Sequence, residues 1–141
     1  MNCLAGHCHC GNLVVELETQ TPSAQLPLRA DQCSFCRRHG ARTTTDPKGK
    51  LRIRVDDPEL LLRYRFGQST ADFLICKRCG IYVAAVIVAP EGRAYATLNV
   101  NCLDRADELT QAVTPVSYDG ESAPERMARR IARWTPTRIE T

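Results

Sequence analysis

Six of the eight cysteines fall into three close pairs, Cys8-x-Cys10, Cys33-x-x-Cys36 and Cys76-x-x-Cys79, with Cys3 and Cys102 left over. Zinc in a closed structural site takes four N or S ligands, and a short Cys spacing lets one tight turn deliver two thiolates to one ion. Gly80 directly after Cys79 suits such a turn, because glycine takes the left-handed backbone at little cost. Closing the 66 residues between Cys10 and Cys76 costs roughly 4 kcal/mol plus a constant. A structural zinc site is worth about 10–16 kcal/mol in apparent binding at neutral pH, so one zinc held by Cys8, Cys10, Cys76 and Cys79 is predicted. On a strand, Cys8 and Cys10 would share one face and His7 and His9 the other, which keeps the histidines out of that ligand set. Cys33 and Cys36 look like half of a second metal site, or like a redox dithiol if one thiol has a depressed pKa. Cys3 and Cys102 have no partner at metal spacing and read as small buried residues.

The elements that must carry these residues read mainly as strands. Apolar and basic residues alternate in "LRIRV" at 51–55 and "LRYRF" at 62–66. With the turn residues "DDPE" between them, the two runs predict a hairpin that points Leu51, Ile53, Val55, Leu62, Tyr64 and Phe66 at the core. Further strands are expected at 13–18, 72–76, 81–88 and 94–100. One helix is expected, over 123–134, where Ser122 and Glu125 form a capping-box pattern and Met127, Ile131 and Trp134 share a face. The opposite face carries Arg126, Arg129, Arg130 and Arg133, and the hairpin exposes Lys50, Arg52, Arg54, Arg63 and Arg65. Both read as solvated faces, with Asp56, Asp57, Glu59 and Glu125 among the same charges. The expected fold is mainly β: compact, zinc-stabilised antiparallel sheets with a C-terminal helix.

The 141 residues suit one domain, 1–141, and 43% apolar residues exclude a disordered chain. A net charge of +3 falls short of the concentrated positive charge of a nucleic-acid binder. The N-terminus has neither the basic start nor the apolar run of a signal peptide, and no stretch is long and apolar enough to span a bilayer, so a cytoplasmic protein with reduced thiols and no membrane partner is expected. A Gly-rich phosphate loop and a serine nucleophile elbow are both missing.

The order "GHCHCG", then "CSFCRRHG", then "ICKRCG", with "FGQS" before the third motif and "CLD" at 102–104 after it, resembles the glutathione-dependent formaldehyde-activating enzyme family from about Cys3 to Leu109. The resemblance implies a compact, mainly β fold with one structural zinc from the outer motifs and a second, catalytic ion from a central Cys-His-Cys-x-x-Cys motif. Here that motif reads Asp31-Gln32-Cys33-Ser34-Phe35-Cys36. Two readings follow. Asp31, Cys33 and Cys36 hold a second, weaker zinc with an open fourth position, since Asp is a legitimate zinc ligand; or the site is degenerate, with two spare thiols and a turn aspartate. His39 reads as a surface histidine beside Arg37 and Arg38. The tail, 110–141, diverges and lacks the histidine expected of many relatives before a tryptophan.

An intact site would carry the reaction the resemblance implies: reversible joining of glutathione and formaldehyde into S-hydroxymethylglutathione, a carbon–sulfur lyase activity. Asp31, Cys33 and Cys36 would be its catalytic residues, with Arg37 and Arg38 beside them for substrate carboxylates. The expected partner is a small-molecule thiol or aldehyde adduct such as glutathione. The alternative is a zinc-stabilised module whose arginine-rich helix or hairpin grips nucleic acid or protein.

Overall fold

The computed structural model describes residues 2–141. In chain order the strands are β1 (Asn2–His7), β2 (Leu13–Thr19), β3 (Leu28–Asp31), β4 (Thr43–Thr44), β5 (Lys50–Val55), β6 (Leu61–Tyr64), β7 (Asp72–Cys76), β8 (Tyr82–Val88), β9 (Ala94–Asn99), β10 (Val113–Val116) and β11 (Thr135–Glu140). Helix α1 (Ser34–His39) follows β3, and α2 (Ala123–Arg133) precedes β11. The fold is mainly β, as the alternation predicts.

All strands join one branched sheet, and β9 is the branch point. One edge of β9 pairs with β8, which continues through β7 to β6. The other edge is shared: Ala94–Ala96 face β11, and Leu98 and Asn99 face β4. From β11 the sheet runs through β5 and β2 to β1, and from β4 through β3 to β10. Pairing is antiparallel except for β10 with β3 and β11 with β5.

The expected hairpin of 51–55 with 62–66 does not form. β5 is flanked by β2 and β11, while β6 pairs with β7. Leu51, Ile53 and Val55 are buried as expected, yet Leu62 and Tyr64 are exposed (39% and 43%) and Phe66 is half-buried, because β6 is an edge strand. Alternation reports which face a residue occupies and not which strand lies beside it. The basic side chains of these strands are solvated and paired as expected, although with Glu140, Glu16 and Asp72 in place of their chain neighbours.

β8, "YVAAVIV", is buried on both faces and divides the core in two. Ala84 and Val86 face the larger cluster with Leu13, Val15, Leu17, Leu51 and Ile53. Ala85 and Ile87 face a second cluster with Cys36, Tyr95 and Trp134. The ladder between β7 and β8 shifts register where Leu74 faces Ala84 and Ile75 faces Tyr82. One extra residue, Val83, is accommodated there, and side-chain alternation reverses: Val83 joins the larger cluster and Tyr82 the second. This bulge aims Tyr82 at the Cys36 side of the sheet. Helix α2 has the capping box of Ser122 and Glu125, and Met127, Ile131 and Trp134 pack on the second cluster. Among the described residues, no helix is long and apolar enough to cross a membrane.

Candidate metal centres and the adjoining cavity

Cys8 and Cys10 lie in the turn after β1 rather than on a strand. The Cys8 N–H bonds back to Leu13 O (2.9 Å), and the Gly11 N–H bonds to Cys8 O (3.1 Å). Cys76 ends β7, and its own turn closes through the Gly80 N–H to Cys76 O (2.8 Å), with Gly80 at φ +79°. The four sulfurs lie within 4.8 Å of one another, with Cys8–Cys10 at 3.7 Å and Cys10–Cys76 at 3.5 Å. Tetrahedral zinc with bonds of about 2.3 Å spaces its sulfurs by about 3.8 Å, so the donor set fits that ion.

Each sulfur also receives a backbone N–H: Leu13 at Cys8, Asn12 at Cys10, Arg78 and Cys79 at Cys76, and Cys10 and Ile81 at Cys79. Burial pushes Cys8 up to about 11 and raises Cys76. Cys79 also feels burial, but its N–H donors hold it down to about 6. Amide donors aimed at every sulfur stabilise thiolates, the form a metal needs. His7 turns to Asp104 (3.7 Å) and His9 is exposed, so neither histidine joins the cluster.

Asp31, Cys33 and Cys36 form a second cluster, their ligand atoms also within 4.8 Å of one another. Asp31 is the last residue of β3, and its Oδ1 accepts the Cys33 N–H at 2.9 Å. Cys33 is the N-cap of α1, its Sγ accepting the Cys36 N–H at 3.3 Å, and Gly40 ends that helix in the left-handed conformation. The sequence reading missed α1, whose six residues are too few to show a helical period. A hydrogen bond from the Cys36 thiol lowers Cys33 to about 7, and the same bond, with burial, raises Cys36 far above the ordinary range. Two sulfurs and one carboxylate oxygen match the three protein donors of a zinc site with an open position.

Other expectations need correction. Arg37 and Arg38, exposed on α1, line neither cavity beside the cluster, although His39 is exposed there as expected of a surface histidine. Cys102 is buried, which pushes its thiol up to about 12, but Cys3 is exposed on edge strand β1. The α2 arginines do not form a solvated face. Arg129 binds Glu121 through Nε and Nη2 (2.9 and 3.0 Å), and Arg126 donates to Glu121 and to Tyr118 O. Arg130 is buried, 8% exposed, its guanidinium over the Trp134 ring at 4.8 Å. The basic surface that the binding-module alternative requires from α2 is therefore largely turned inward.

A cavity of about 70 Å³ opens beside the second cluster, lined by Asp31, Cys36, Tyr82, Arg29, Arg130 and Trp134 among others. An adjoining recess of about 170 Å³ shares Asp31 and Arg130 and adds Cys33, Phe66 and Thr70. The sequence reading missed Tyr82, Arg29 and Arg130 as site residues. One signal was available: Met127, Arg130, Ile131 and Trp134 follow i, i+3, i+4, i+7 spacing, which puts a cation inside the apolar stripe.

Residues 3–117 match the model of the family described as glutathione-dependent formaldehyde-activating enzyme. Among solved structures, the chain is similar to a crystal structure of a Rhodobacter sphaeroides protein, with 32% identity and a TM-score of 0.59 over 81% of this chain and 99% of that one. No curated protein matches the chain.

Proposed function

The chain belongs to the glutathione-dependent formaldehyde-activating enzyme family, and from that premise we propose that it makes and breaks the carbon–sulfur bond of thiol–aldehyde adducts such as S-hydroxymethylglutathione, at Asp31, Cys33 and Cys36. The observation that carries this reading is that the three donors lie within 4.8 Å of one another, Asp31 and Cys36 at the wall of a cavity and Cys33 at the adjoining recess. A zinc ion held by these residues would supply Lewis acidity at its fourth position. Cys8, Cys10, Cys76 and Cys79 would hold a second ion that is purely structural.

In the forward direction the substrate thiol loses its proton, its sulfur bonds to the aldehyde carbon, and the former carbonyl oxygen gains a proton to become a hydroxyl. Tyr82 is suited to meet that oxygen. Tyr82 lines the cavity, its buried hydroxyl has no hydrogen-bond partner among the described residues, and burial keeps the phenol protonated by raising its pKa well above the ordinary value. Phe35 of α1 packs with Phe66, Phe73 and Tyr82 into an aromatic group, of which Phe35, Phe73 and Tyr82 lie in the same apolar cluster as Cys36.

Exchange spectroscopy by NMR between free formaldehyde and its glutathione adduct tests the proposal. The zinc-loaded protein accelerates exchange, and Asp31→Ala and Cys36→Ser lose the acceleration while retaining the fold. Equal rates for the native protein and Asp31→Ala would overturn it.

A further inference from the structure

Arg130 is an anomaly that the proposed reaction leaves unexplained. The residue is more than nine-tenths buried, and its guanidinium, among the described residues, makes one hydrogen bond, from Nη1 to Thr70 Oγ1 at 2.9 Å. Its Nε is buried without a partner. Arg126 and Arg129 share Glu121, but among the described residues no carboxylate comes within ion-pair distance of Arg130. Burial pushes it down to about 10, and the positive charges of Arg129 and Arg126 add to that. A buried cation without a counter-ion is costly, and a structural role would be met more cheaply by an apolar side chain of similar size.

We infer that the cavity beside the second cluster is a carboxylate-binding subsite, in which Arg130 holds an acid group joined by a short arm to the sulfur of the reacting thiol. This rests on the proposal that the sulfur chemistry takes place at Asp31, Cys33 and Cys36.

Two observations give the subsite its chemistry. With Nη1 engaged by Thr70 and the flat face against Trp134, the remaining edge of Arg130 is Nε with Nη2, the side-on fork that matches the two oxygens of a carboxylate. Arg29, bonded only to Thr45 Oγ1, and Arg133, exposed at the rim, leave the lining with more cations than its one acid, Asp31, can balance.

Size sets the class. A water needs about 10–15 Å³ in this measure, so 70 Å³ admits an acid group with one or two carbons and excludes a whole tripeptide. The ligand is then a short mercapto acid, or the terminal carboxylate of a longer thiol whose body lies in the adjoining recess along Phe66 and Thr70. Helix α2 lies outside the stretch 3–117 matched by the family model, so this determinant sits on the part of the chain that diverges.

Trp134 is the only tryptophan and stacks on Arg130, so its fluorescence reads the subsite directly. The zinc-loaded full chain is titrated with acetate, mercaptoacetate, its neutral counterpart mercaptoethanol, and inorganic phosphate. Saturable changes are expected with both acids, mercaptoacetate binding at least about tenfold more tightly than mercaptoethanol. Arg130→Gln should weaken both acids by about tenfold or more and leave mercaptoethanol unchanged. Should that variant not fold, Arg29→Gln and Arg133→Ala, on separate elements, should each weaken the acids by about two- to fivefold. Equal affinity for the neutral thiol, tighter binding of phosphate than of either acid, or acid affinity indifferent to these substitutions would overturn the subsite. Acetate has no thiol and the readout needs no turnover, so its failure to bind refutes the subsite alone, whereas lost exchange with acetate binding intact refutes only the proposed reaction.

Discussion

Replacing Cys76 with serine should abolish the folded state. Cys76 and Cys8 are both fully buried in the larger core cluster, and the sulfurs of their turns meet across 66 residues of chain. Without a crosslink, that closure costs roughly 4 kcal/mol plus a constant. A domain of this size has about 5–15 kcal/mol of total stability, and a four-thiolate zinc contributes about 10–16 kcal/mol. Loss of even half of the metal term therefore removes most of the margin, and it would leave three thiols arranged around nothing. The assay is thermal unfolding by circular dichroism alongside elemental analysis, with the native protein, Cys76→Ser and Cys36→Ser compared with and without chelator. Cys76→Ser should show no cooperative transition, and chelation should remove the native one. Cys36→Ser, outside that cluster, should cost only about 1–3 kcal/mol, at about 3 °C of melting temperature per kcal/mol. A Cys76→Ser protein that melts cooperatively at the native temperature and carries no metal would refute the reasoning.

Asp31→Cys replaces the carboxylate of the second cluster by a third thiolate, so metal content should approach two per chain without added zinc, while the native protein should need supplementation; elemental analysis decides, and unchanged stoichiometry would show that Asp31 is not a ligand. In protein loaded only at the first cluster, the Cys33 thiol, lowered to about 7 by the Cys36 hydrogen bond, should be alkylated by iodoacetamide with a midpoint near that pH, and Cys36→Ala should move the midpoint up. The sign of its stability contribution follows: a depressed pKa stabilises the fold fully above the ordinary value of 9.0, and the contribution is lost as pH falls through about 7. Tyr82→Phe removes a buried hydroxyl that has no partner, a group that costs about 1–3 kcal/mol when left unsatisfied, so melting should stay level or rise while adduct exchange slows. A fall of several degrees would reveal a partner for that hydroxyl.

The parts of this architecture legible in the sequence are those fixed by local chemistry. The close pairs Cys8–Cys10 and Cys76–Cys79, the faces of Leu51, Ile53 and Val55, and the capping box at Ser122 each depend on residues within a few positions, and each appears as the spacing predicts. Pairing was not legible. β11 inserts between β5 and β9 although Pro136 argues against a central strand, and nothing in "LRIRV" or "LRYRF" specifies that their neighbours are β2 and β11 on one side and β7 on the other. The α2 arginines were assigned to solvent by residue type, whereas Arg130 sits in the helix's own apolar stripe. The inward aim of Tyr82 depends on a bulge at Val83, within a strand apolar at every position, so no alternation marks the change of face.

The central claim is that Asp31, Cys33 and Cys36 form a three-donor zinc site separate from the four-thiolate one. Zinc-edge X-ray absorption on protein reconstituted with excess zinc and then desalted tests it most directly. A four-sulfur site and a two-sulfur, one-carboxylate site in equal number average to about three sulfurs near 2.3 Å, with an oxygen shell near 2.0–2.2 Å, at two ions per chain. A single ion per chain with four sulfurs and no oxygen shell would contradict the account.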